Sequence, residues 1–172
     1  MNSDPHRAQA ARERVIAMLA RLPVQLGGAW SLDNADHPDW QAWRAAEDLA
    51  VTLHIGGREF TFFHSLNTDK SAALVIECRC SFVPHLSFVE CYRQLLATNH
   101  RNYPTSPSTY ALNHSTNAVV YNTSYLLESL DAEKLVDALV DGARNAMHWQ
   151  EQFALTSTFD AVESNFPLPI EI

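Results

Sequence analysis

Apolar residues recur along this chain at two periods, and the points where one period gives way to the other divide it into elements. After Asp4-Pro5, Ala8, Ala11, Val15, Leu19 and Leu22 fall at three- and four-residue steps, Ile16 widens the stripe, and Glu13 and most of the arginines lie off it. Aspartate followed by proline is a helix start, and Pro23 with Gly27-Gly28 is a stop, so a helix is predicted over residues 5–22. From residue 49 the period shortens to two: Leu49, Val51, Leu53 and Ile55 alternate with Ala50, Thr52 and His54. Gly56-Gly57 follows, then Phe60, Phe62 and Leu66 alternate again. Two such runs around two glycines specify a hairpin with a type I′ or II′ turn. Pairing Ile55 with Arg58 sets Leu53 opposite Phe60 and Val51 opposite Phe62, which keeps the large apolar residues on one face.

After a turn over residues 67–71, Leu74, Ile76, Cys78, Cys80 and Phe82 give a third strand, with Val75, Glu77, Arg79 and Ser81 on its other face and Pro84 at its end. An antiparallel meander with one wet face follows. Helical spacing returns over Ser87–Asn99. Ser87 and Glu90 can form a capping box, Leu86 and Cys91 a staple, and Phe88, Cys91, Tyr92, Leu95 and Leu96 a broad apolar face ending at a left-handed Asn99. Beyond the polar loop Arg101–Pro107, Thr109–Asn113 and Ala118–Leu126 read as two more strands. Asp131 then caps a long helix, with Leu130 and Leu135 as its staple. Leu135, Val136, Leu139, Val140, Ala143, Ala146 and Met147 mark its buried face, and its end is expected near Trp149–Phe153.

The predicted order α-β-β-β-α-β-β-α describes an α+β fold, an antiparallel sheet packed with helices. Residues 1–150 form one domain, with a tryptophan-bearing insertion at 27–47 and an acidic, extended tail over 151–172. Within the insertion, Asp33–Asp39 is a turn-rich acidic loop, and Pro38–Glu47 is a short helix with Trp40 and Trp43 on one face. Trp30 stands alone. The tryptophan pair is expected to lid the core, the alternative being a docking patch.

Composition narrows the function. At 172 residues and 47% apolar content the chain is one globular domain and not a disordered one. A net charge of −8 opposes a nucleic-acid or anionic-membrane surface. Neither a secretory signal nor a membrane-spanning run is expected, and three cysteines at 78, 80 and 91 are not a disulfide framework, so the expected location is cytoplasmic. Cys78 and Cys80 share the apolar face of their strand and with a histidine could hold zinc, but the preferred reading is two small core hydrophobes. The eight histidines are scattered without ligand spacing, and His54 and His64 read as packed or exposed groups of the hairpin. Glu133, Asp137 and Asp141 run at four-residue steps, as a solvated helix face does. No nucleophile elbow, phosphate loop or dinucleotide fingerprint occurs, so no enzyme activity, metal or cofactor is expected. Aromatic area is in excess instead: Tyr110, Val119, Tyr121, Tyr125 and the Phe60–Phe62 strand suggest protein binding.

Tyr92-Arg-Gln-Leu-Leu-Ala-Thr-Asn99 resembles the Leu-Leu-x-x-Asn central helix of the Tir-chaperone (CesT-like) family, the class I chaperones of type III secretion. Thr109–Asn113, Asn117-Ala-Val-Val-Tyr121 and the helix Asp131–Gln150, with Ala143-Arg-Asn-Ala-Met-His-Trp149 at its end, follow that family's order, as does the glycine-turn hairpin. The resemblance covers residues 5–150, and the 27–47 insertion and the tail depart from it. It implies a non-enzymatic homodimer that holds the N-terminal segment of a secreted effector in extended, secretion-competent form. The implied dimer candidates are Phe88, Tyr92, Leu95 and Leu96, with Leu95 and Cys91 expected toward the chain's own sheet and Phe88, Tyr92 and Leu96 toward the second subunit. The implied effector-binding candidates are Val15, Leu19, Leu53, Phe60 and Phe62. The alternative role is a chaperone-fold regulatory or interaction domain with a partner outside secretion; a thiol or metal enzyme built on Cys78, Cys80 and a histidine is a third.

Overall fold

The computed structural model describes residues 5–25, 32–33, 45–67, 71–82, 88–102 and 108–163. Helix α1 spans Pro5–Gln25. It runs past Pro23, the expected stop, to Gln25. Strands β2 (Asp48–Ile55) and β3 (Arg58–Ser65) form the hairpin in the expected register, Ile55 opposite Arg58 through Leu53 opposite Phe60 to Val51 opposite Phe62. Gly56 and Gly57 have φ of 59° and 74°, the pair of positive values that a type I′ turn requires. Leu32 and Asp33, the latter read as the start of the acidic loop, form a short strand β1 opposite Ile55 and His54 of β2. The remainder of the Asp33–Asp39 loop and Trp30, Trp40 and Trp43 lie outside the described residues.

Strand β4 is Ala73–Phe82, helix α2 Phe88–Asn102, strands β5 and β6 Thr109–Asn113 and Ala118–Leu126, and helix α3 Ala132–Glu163. The sheet is antiparallel in the order β1-β2-β3-β4-β6-β5, with β6 inserted between β4 and β5 and a register shift between Arg79 and Ser81. Helix α2 therefore carries the chain from β4 to the far edge. It does not end at Asn99 but three residues later, and the proposed cap of Ser87 and staple of Leu86 lie outside the described residues. Helix α3 is 32 residues long and continues through the first part of the predicted extended tail. Pro167 and Pro169, which oppose a helix, come only after it in the sequence.

One face of the sheet makes the core. Val51, Ile55, Phe60, Phe62, Leu74, Ile76, Cys78, Cys80 and Val119 pack with Val15, Leu19 and Leu22 of α1 and with Leu135, Leu139, Ala146 and Trp149 of α3. Asp131 caps α3 through its Oδ1, which accepts the Lys134 amide at 2.9 Å, and Leu130 and Leu135 are both buried beside it. Gly142 sets how close α3 comes to the sheet: a Cβ there would lie 3.2 Å from Phe60 and 3.4 Å from Cys78. Close approach narrows the buried stripe, which is why Val140 and Met147, expected inside, are exposed. Tyr110 extends the core to the β5 edge, tilted against Tyr121 and Trp149 with ring centroids 5.1 Å apart in both pairs.

Candidate functional site

An α-helix that closes a sheet can bury only one stripe of itself, and α2 carries more apolar surface than that stripe uses. Cys91 and Leu95 face inward and join the core. Phe88 is partly buried against that core. Val89, Tyr92 and Leu96 face outward, at 67%, 41% and 72% exposure. Residues 89, 92 and 96 stand at three- and four-residue steps, so they form one continuous apolar stripe on the outer face. Of the four predicted dimer candidates, Tyr92 and Leu96 are thus available, Phe88 is at the border, and Leu95 belongs to the core. Val89 was missed, although its place three residues before Tyr92 was the available signal.

The two edges of the sheet are treated differently. At β5, Tyr110 directs its amide and carbonyl away from β6, and both are met by one side chain: Asn99 Oδ1 accepts the Tyr110 amide and Asn99 Nδ2 donates to the Tyr110 carbonyl, each at 2.8 Å. An asparagine amide here takes the place of a neighbouring strand at Tyr110. At the other edge, the two-residue turn makes Ile55 and Arg58 a hydrogen-bonded pair, which turns the backbone groups of His54, Thr52, Ala50 and Asp48 outward. His54 is opposite Asp33 of β1, and β1 ends there. Among the described residues no strand lies opposite Thr52, Ala50 or Asp48. Among the described residues, these backbone groups can take an antiparallel strand by the same pairing that β1 begins.

Four of the five predicted effector contacts are enclosed within the subunit: Val15 and Phe60 and Phe62 at 0% exposure, Leu19 at 2%. They hold the core and present no surface in this conformation. Leu53, half-buried on β2, is the fifth and lies on this edge strand. The outer face of the sheet beside it is polar and internally paired. Arg79 meets Glu59 at 2.6 Å, His54 lies 3.6 Å from the same carboxylate, and Thr52 and Thr61 hydroxyls are 3.1 Å apart.

The cysteines are all free and buried. Burial pushes the Cys78 thiol up to about 12, and the Cys80 and Cys91 thiols are raised for the same reason. Among the described residues no cluster of three or more histidine, cysteine or acidic side chains is placed to hold a metal ion. No described helix is long and apolar enough to cross a membrane. Sequence reasoning also passed over Arg12, which is completely buried. Its position continues the 8, 15, 19, 22 stripe, and that was the signal available.

Residues 44–150 match the Tir chaperone protein (CesT) family. The chain is also similar to a chain in the crystal structure of the ExsC-ExsE complex, with 16% sequence identity, a TM-score of 0.56, and coverage of 81% of this chain and 93% of that one. At that identity the likeness is one of fold. No curated protein sequence matches the chain.

Proposed function

The chain belongs to the Tir chaperone protein (CesT) family, and from that premise we propose that it is a type III secretion chaperone that binds the N-terminal segment of an effector and keeps it non-globular. The protein acts by binding and performs no covalent chemistry. The observation that carries the reading is the exposed apolar stripe on α2 together with outward backbone groups of β2 that face no strand among the described residues. A stripe of Val89, Tyr92 and Leu96 left in water is a standing cost, since a fully buried leucine or valine side chain is worth roughly 1.5–3 kcal/mol. A second copy of the chain, set against the first about a twofold axis, covers both stripes at once. The active form is accordingly a homodimer joined through α2.

The effector segment is placed on the β2 edge. Backbone groups of Asp48, Ala50 and Thr52 offer main-chain hydrogen bonds to any extended sequence, and Leu53 adds an apolar contact beside them. Main-chain recognition explains how a chaperone holds a segment without requiring it to fold. Val15, Leu19, Phe60 and Phe62 support this edge from within the core instead of touching the segment.

Co-expression with candidate secreted proteins, each whole and each lacking its N-terminal segment, followed by pull-down, tests the assignment. The expected result is retention of a whole effector and loss of its truncated form. Failure to retain any secreted protein contradicts the proposal, and equal retention of the truncated form favours an interaction domain that binds a folded partner.

A further inference from the structure

Arg12 lies in the middle of α1 with no exposed surface, and among the described residues its guanidinium makes four hydrogen bonds to three residues in two separate parts of the chain. Nη1 donates to the Ala46 carbonyl at 2.9 Å and Nη2 to the Glu47 carbonyl at 3.1 Å, both just before β2. Nη2 also donates to the His64 carbonyl at 2.9 Å, and Nε donates to the His64 ring at Nδ1, again at 2.9 Å. An arginine offers only donors, so this last contact requires Nδ1 to be unprotonated. The ring proton is then on Nε2, which lies 3.0 Å from the Ser71 carbonyl and donates to it. The Arg12 guanidinium and one neutral imidazole with one fixed tautomer thus link α1, the entry to β2, the end of β3 and the turn before β4.

We propose that the Arg12–His64 contact is an acid-sensitive latch: a proton taken from solvent at His64 Nδ1 expels Arg12 and releases the N-terminal half of α1 from the sheet. Protonation would set N–H against N–H and two positive charges face to face, inside the core, where neither is screened by water. Among the described residues, the groups facing the pair are, from α1, Arg12 itself; from the entry to β2, the Ala46 and Glu47 carbonyls and the Asp48 carboxylate, whose field favours the Arg12 charge and opposes part of the repulsion; and from the turn, the Ser71 carbonyl. Burial holds the His64 pKa below its ordinary value and the Arg12 charge lowers it further, while the Ser71 carbonyl works in the opposite direction. The sign follows from the depressed value. The latch is fully closed above the ordinary histidine pKa of about 6.5, and below it the open form takes up the proton and gains on the closed one. This device stands on the geometry of the subunit alone and does not depend on the chaperone reading.

The test is a pH series from 7.5 to 5 on the full chain, with hydrogen exchange corrected for intrinsic rates and nitrogen NMR of the histidine rings. His64→Asn keeps an acceptor near Nδ1 and His64→Gln keeps a donor near Nε2, and neither titrates. The expected result is a neutral Nε2–H ring at pH 7.5 and a loss of protection in α1 and the start of β2 that approaches about tenfold per pH unit below about 6.5. Both variants should lack that loss, leaving only what the other histidines contribute. Equal pH dependence in wild type and variants overturns the proposal. So does an Nδ1–H ring at pH 7.5, or a ring that protonates with an ordinary midpoint while α1 stays protected. If neither variant folds, the wild-type ring spectrum and α1 exchange still decide between those outcomes.

Discussion

The side chain of Asn99 and the backbone of Tyr110 form a reciprocal pair, amide to carbonyl and carbonyl to amide, with both hydrogen bonds at 2.8 Å. Through it a single helical residue satisfies the outward backbone groups of Tyr110 and fixes α2 against β5. The same Tyr110 reaches α3, where its hydroxyl donates to the Asn145 carbonyl at 3.1 Å. One residue therefore ties both helices to the edge strand.

Replacing Asn99 by alanine leaves both Tyr110 backbone groups without their partner. The expected loss is about 1–2 kcal/mol in urea unfolding, net of the better helix propensity of alanine. Asn99→Asp should be worse at neutral pH, because its carboxylate can accept the amide but only repels the carbonyl. An alanine variant as stable as the wild type would show that α2 is held by its apolar face alone.

Leu96 and Leu95 are adjacent and face opposite ways, at 72% and 5% exposure. A charge at an exposed position of the single chain should change its stability by no more than about 0.5 kcal/mol. Leu96→Glu is therefore expected to give a folded monomer, read by sedimentation together with circular dichroism. Leu95→Glu is expected to unfold the subunit, because it buries an unpaired charge in the core. A folded dimer of Leu96→Glu contradicts the α2 interface.

The thiols provide a third check. With Cys78 near 12 and Cys80 and Cys91 raised as well, a disulfide reagent at pH 8 should label none of the three within minutes in the folded protein, and all three in denaturant. Rapid labelling of folded Cys78 or Cys80 would indicate a thiolate, and would revive the enzyme or metal reading that the sequence also allowed.

Much of the fold was legible because it is written in local periods. The β2–β3 register follows from two glycines and alternation, and the bounds of β5 and β6 from the same alternation between polar turns. What escaped notice depends on long-range geometry. Nothing local marks Leu32–Asp33 as a strand, since it pairs only because β2 leaves an edge there. Asn99 looked like a helix stop because its amide suits that role; its actual partner is 11 residues away in β5. Arg12 was passed over because arginine is usually exposed, and among the described residues four acceptor atoms gathered around it make its burial tolerable. The site shows the same division. Helical spacing separated Leu96 from Cys91, but which apolar strand residues would be enclosed depended on how α1 and α3 cover the sheet.

Hydrogen exchange across the complex of this chain with a whole effector tests the central claim most directly. The predicted result is protection of an N-terminal effector segment together with Asp48–Leu53 of this chain, while the bound segment shows no cooperative unfolding of its own. Protection confined to a folded domain of the effector, with the β2 edge exchanging as it does in the free chain, would contradict it.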